Sequence, residues 1–183
     1  MTTVQTQEKL LYTLDPSHST VEFTVRHMMI SKVRGRFAKF AGEIELAPGS
    51  DVPQAIRASV DVASIDTRED QRDAHLRSAD FFEAEKFPTL TFESTRVEGA
   101  PENFSAYGNL TIHGVTKEVV LSGAFEGRGS DPWGGQRVGY TANTTINRKD
   151  FGLNWNAALE AGGVLVSDEV KIELNVQGVL QQQ

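Results

Sequence analysis

The groups in this 183-residue chain that could do chemistry are few: four histidines, one arginine set against an apolar stretch, and no cysteine. His18 and His27 bracket an alternating segment. An imidazole at either end could orient a pyrophosphate or hydroxyl head group, or simply serve the end of a strand. His75 falls in a helical stretch, on the surface or half-buried, and His113 sits at a turn where a tip hydrogen bond accounts for it. No pair has the His-x-His or His-x-x-x-His spacing of a metal site, and the lack of cysteine removes thiolate nucleophiles, iron–sulfur clusters and cysteine-held zinc. Arg148, in Ile-Asn-Arg-Lys-Asp-Phe-Gly, follows a patterned strand. Its guanidinium could grip a phosphate bidentately or anchor Asp150 or Glu160 nearby. Phosphate-cradling glycine motifs, nucleophile elbows and dinucleotide fingerprints are absent. The expectation is therefore no catalytic residue, no metal and no cofactor.

The elements that must position these groups read mostly as strands. Tyr12 opens a short one that stops at the turn pair Asp15-Pro16. Val21, Phe23 and Val25 alternate with polar residues between Ser19 and His27, and a looser stretch from Met28 to Gly35 follows. Phe40, Gly42, Ile44 and Leu46 share a parity that Phe37 breaks, which predicts a bulge near Ala38 or Lys39. Ile56, Ala58, Val60 and Val62 face one way. A helix is predicted over 68–82, capped by Thr67, with Leu76, Ala79 and Phe82 as a thin apolar stripe ended by Phe87-Pro88. Leu90 and Phe92 mark the next strand. The clearest signal is 104–127, two alternating arms about a turn at His113-Gly114-Val115-Thr116. Ala106, Gly108, Leu110 and Ile112 share one face with Val119, Leu121, Gly123 and Phe125, the pattern of a hairpin with one apolar side. A glycine-rich loop over 127–135, a strand through Tyr140 and Ile146, an irregular apolar stretch 148–163 containing Leu159 with Val164 just beyond, and a closing strand through Val170 and Val176 complete the chain.

About eight antiparallel strands with one inserted helix define an all-β fold, a sandwich or a barrel; an eight-stranded barrel is about wide enough to hold one small ligand. In-strand glycines at 42, 108, 123 and 139 are read as leaving space unfilled. Residues 1–11 read as a loose tail and 12–180 as one domain. The net charge of -7 argues against a nucleic-acid partner. There is no polybasic run for an anionic membrane and no apolar stretch near the ~20 residues of a span, so no membrane insertion is expected. The N-terminal residues lack the pattern of a secretory signal, which predicts a cytoplasmic protein if the sequence is full length.

Several segments resemble the YceI family. They are LDPSHSTVEFTVRH at 14–27, RGRFAKFAGEIEL at 34–46, VDVASIDTREDQRDAHLRSADFF at 60–82, KFPTLTFEST at 86–95, GNLTIHGVTKEVVL at 108–121 and INRKDFGLNW at 146–155. The resemblance runs from about Tyr12 to Leu180. It implies a lipocalin-like barrel with an elongated apolar tunnel for a polyisoprenoid or similar amphiphile, such as a prenyl alcohol, prenyl phosphate or isoprenoid quinone. Storage or transport of that lipid is the implied role, and a homodimer is implied by family analogy alone. Many members are periplasmic and carry a signal peptide, from which this chain departs. Phe23, Phe40, Ile44, Ile56, Phe92, Leu110, Ile112, Phe125, Ile146 and Trp155 are the candidates for the tunnel's apolar wall. His18, His27 and Arg148 are the candidates for a head group. Two other readings stand beside it: an enzyme acting on an isoprenoid or quinone head group, and an interaction domain whose interior is fully packed.

Overall fold

In the computed structural model, which describes residues 8–157 and 165–182, every strand pairing is antiparallel and the sheet closes on itself. The strands are β1 (Leu10–Leu14), β2 (Thr20–His27), β3 (Ser31–Phe37), β4 (Phe40–Leu46), β5 (Ala55–Asp61), β6 (Ile65–Asp66), β7 (Thr89–Ala100), β8 (Asn103–Ile112), β9 (Val115–Ser130), β10 (Gln136–Asn147) and β11 (Glu169–Leu180). The ring runs β1-β4-β5-β7-β8-β9-β10-β11 and back to β1. β2 continues the wall of β1, and β3 that of β4. The barrel therefore has eight staves, two of them bent.

Each bend has a local cause. Between β1 and β2 the Asp15 side chain accepts from the Ser17 N–H at 3.0 Å, and Pro16 opens a 3₁₀ turn ending at His18. The second bend falls at Ala38-Lys39, where the parity break predicted a bulge. There the Ala38 and Lys39 N–H groups leave the strand ladder and donate to the Ser64 carbonyl and hydroxyl. The stretch expected to be loose is instead half a hairpin: β3 pairs with β2 from Glu22 opposite Arg36 to His27 opposite Ser31.

The helix is shorter than predicted, α1 (Asp70–Arg77), and Glu69 rather than Thr67 caps it. Arg68 stands at φ 64, so the helix cannot begin before it. At the other end the Ser78 hydroxyl and N–H both turn back onto the His75 carbonyl, which ends the helix. Residues 78–87 then follow as turns that deliver Phe81 and Phe82 inward. The 127–135 loop shrinks to Asp131–Gly135, because Asp131 accepts from the Trp133 and Gly135 N–H groups and lets β9 run on to Ser130.

One half of the interior is packed solid. Tyr12, Leu46, Phe104, Val138 and Tyr140 are buried together there. The Tyr140 hydroxyl donates to the Asp51 carbonyl at 2.7 Å across the end of the barrel, and burial raises its pKa. In this region the in-strand glycines do not open space. The Phe92 ring lies over Gly108 and the Phe104 ring over Gly123, where an added Cβ would come within 2.5 and 2.4 Å of a ring carbon. The reading of Gly108 and Gly123 as voids is corrected: each is the seat of a neighbouring aromatic ring, and Gly42 is filled by the Leu14 side chain.

Candidate functional site

Above that floor the barrel encloses a cavity of about 580 Å³ with a wall that is overwhelmingly apolar. The size falls within the roughly 300–1,000 Å³ of small-molecule sites. Strand parity explains the wall. Val21, Phe23 and Val25 of β2 point inward, as do Ile44, Ile56, Leu110, Val119, Ala142 and Leu174 from the other staves. Several of these keep accessible surface although they face inward, because they border the cavity and not another layer of side chains. The fully packed interior considered from sequence is not what the fold contains.

Of the ten apolar residues picked out as tunnel wall, nine line the cavity: Phe23, Phe40, Ile44, Ile56, Phe92, Leu110, Ile112, Ile146 and Trp155. Phe125 does not. It packs edge-on against Tyr140 at 5.5 Å and lies under the Arg128 guanidinium, on the solid half of the barrel. The β9–β10 register shifts just beyond it, between Phe125 opposite Tyr140 and Gly127 opposite Gly139, so Phe125 ends the run of β9 that also carries Val119 and Leu121.

Of the three candidate head-group residues, His27 and Arg148 both border the cavity and His18 does not. His27 lines the cavity at the end of β2. His18 lies outside it, more than half exposed, with its Nδ1 2.9 Å from Asp15 in the 3₁₀ turn. Arg148 is 97% buried, and its guanidinium donates to the carbonyls of Ser167, Leu153, Trp155 and Val166 at 2.6–3.3 Å. Desolvation holds its pKa below the ordinary value, with Asp168 opposing at 3.8 Å. Nearly all its donors are consumed by backbone, so it fastens the segment after β10 to the one before β11, in place of a phosphate grip. Of its proposed local partners, Glu160 lies outside the described residues, as do Leu159, Val164 and residues 1–7.

Sequence reasoning missed the histidine nearest the cavity's apolar rim. His75 of α1 meets the rings of Trp155 at 4.7 Å and Phe81 at 5.1 Å, both edge-on, and its Nε2 lies 2.8 Å from an Asp80 carboxylate oxygen. Arg72, one turn back, donates to the Thr67 hydroxyl and carbonyl at 2.8 and 2.7 Å. Thr67 in turn donates to the buried Asp73 carboxylate at 2.5 Å. Gln71, Arg72, His75 and His27 thus form a polar fringe on an apolar chamber. The spacing of Arg72 and His75, three apart on one helix, was the available signal.

The whole-chain comparison agrees with this architecture. A family model described as YceI-like domain matches residues 12–178. The chain belongs to the YceI-like family. A UPF0312 protein of Vibrio cholerae is 40% identical over 164 residues, which cover 89% of this chain and 82% of the relative. Among solved structures, Burkholderia cenocepacia BcnA superposes with a TM-score of 0.77 at 22% identity, covering 90% of this YceI-like chain and 98% of that one. A polyisoprenoid binding domain from Saccharophagus degradans gives 0.69 at 17% identity, covering 93% and 98%. At those identities the two structures speak to the fold.

Proposed function

We propose that this YceI-like protein binds and carries a long-chain amphiphile of the polyisoprenoid type, without turnover, with the chain in the barrel cavity. The single observation that carries the reading is the apolar cavity of about 580 Å³. A void of that size would cost on the order of 10 kcal/mol if left empty and dry, as much as a whole domain's stability. An apolar chain is the natural filling, since each buried methylene contributes roughly 0.8 kcal/mol before ordering costs. The polyisoprenoid binding domain among the structural neighbours supports the ligand class. The polar end of the ligand, a hydroxyl, phosphate or quinone, is assigned to the fringe of His27, Arg72 and His75. Carriage is favoured over turnover because His18 lies outside the cavity, and Arg148, which borders it, is committed to backbone carbonyls.

Native mass spectrometry of protein as purified should show a lipid-sized adduct, and delipidated protein should take up a prenyl alcohol saturably. Ala142→Trp, which adds bulk toward the cavity, should abolish uptake while the fold persists. Undiminished uptake by that variant, or no saturable uptake by the parent, would sink the proposal.

A further inference from the structure

The wall beside the cavity carries a surface unlike the rest of this acidic protein. From Arg26 to Lys39 the chain holds five of its 18 cations and none of its 25 carboxylates. In sequence these cations alternate with apolar residues and form no run. In the β2–β3 hairpin the alternation puts Arg26, Lys32, Arg34 and Arg36 on the outer face, all exposed, with Val25, Val33 and Phe37 turned inward. Arg36 pairs with Asp66 at 3.2 Å, whereas Arg26, Lys32 and Arg34, nearer the tip, have no ion-pair partner among the described residues.

The tip itself is unusual. The Ile30 N–H donates to the His27 carbonyl at 3.1 Å across Met28 and Met29, whose φ angles are 55° and 59°. That is a type I′ turn, a conformation asparagine and glycine adopt with least strain. Here it holds two methionines and then an isoleucine, exposed by 40%, 57% and 80%. Among the described residues none of the three belongs to a core cluster, so packing of the barrel does not account for the choice.

We infer that the β2–β3 tip docks on an anionic phospholipid bilayer, with Met28, Met29 and Ile30 in the interfacial layer and Arg26, Lys32 and Arg34 on the head groups. Three apolar side chains ringed by cations match a bilayer surface, where flexible methionines accommodate irregular acyl packing. They are too few to form the apolar centre of a stable protein interface. The remaining acidic surface is repelled by the same membrane, so the contact also fixes orientation. Docking would present the cavity side of the barrel. The Met28 N–H donates to the Leu165 carbonyl at 2.7 Å and the Ser167 N–H to Arg26, and Leu165, Val25 and Val33 line the cavity.

Flotation with phosphatidylcholine vesicles, with and without phosphatidylglycerol, tests this. The parent should bind the anionic vesicles, and the neutral ones about a hundredfold more weakly, since each of three cations contributes about fivefold on an anionic leaflet. Binding should fall with salt. Met28→Asn with Met29→Gly suits the turn, keeps the fold, and should weaken binding about tenfold or more. Trp133→Ser removes an 87% exposed apolar side chain on the loop at the barrel's other end and should change nothing. No anionic preference, equal binding by the Asn-Gly variant, or loss with Trp133→Ser instead would overturn the inference. Uptake of prenyl alcohol from detergent by the Asn-Gly variant should be unchanged, so docking and carriage can fail separately.

Discussion

Two hairpins reach the same end of the barrel, and both turn on two successive residues at positive φ. Between β8 and β9 the turn is His113-Gly114, at 55° and 73°; between β2 and β3 it is Met28-Met29, at 55° and 59°. The first is covered. Phe87 packs on His113 with ring centroids 4.7 Å apart, and the Glu83 carboxylate lies 3.5 Å from its Nε2, which nevertheless has no well-formed hydrogen bond. A Cβ on Gly114 would come within 2.6 Å of the Phe87 ring. The second tip is bare. The same backbone is thus used once with a residue that relieves strain and once with residues that do not. The difference marks where stability, and where something else, determined the residue types.

The comparison can be broken most directly at Gly114. Gly114→Val combines positive φ, a β-branched side chain and overlap with Phe87, and should cost roughly 2–4 kcal/mol by urea unfolding. A cost near zero would mean the covered tip is not packed as described. Next in size, Met28→Asn with Met29→Gly should stabilise the fold by roughly 1–2 kcal/mol, because two left-handed residues lose their crowding. Destabilisation would show that the methionines are buried and that the two tips are alike. Asp15→Asn probes the turn that aims β2. Its carboxylate accepts from Ser17, Arg137 and His18, which hold its pKa far below the ordinary value. A folded pKa below the unfolded one stabilises fully above about pH 4, and that stabilisation fades as pH falls through the lowered value. The variant should therefore lose about 1 kcal/mol at pH 7 and converge with the parent in strong acid. The smallest effect belongs to Lys32→Ala, within about ±0.5 kcal/mol in stability because the side chain is solvated, yet measurable in vesicle flotation.

Much of the wall was legible from alternation. Phe23, Ile44, Leu110 and Ile146 were placed inward on parity alone, and parity is what a strand fixes locally. Phe125 obeyed the same parity yet missed the cavity, since alternation tells which face a residue is on and not how far along the barrel the packed floor extends. Two of the head-group candidates misled for a related reason. His18 and Arg148 are polar residues at strand ends, but their partners, the Asp15 carboxylate and the carbonyls of Leu153, Trp155, Val166 and Ser167, are set by loop paths that no periodicity encodes. His75 was passed over because a helix position says nothing about the aromatic rings, Trp155 and Phe81, that meet it from other parts of the chain.

By itself the sequence determined about eight antiparallel strands in an all-β fold, the break in parity at Ala38-Lys39, and the absence of any cysteine chemistry, because these follow from residue type and a period of two. Only the tertiary structure decided that Gly108 and Gly123 seat aromatic rings, and that one half of the interior is solid and the other hollow. It also decided that a net acidic chain has one cationic, apolar-tipped edge. Each of these depends on which strands lie side by side, and that is settled by closure of the sheet.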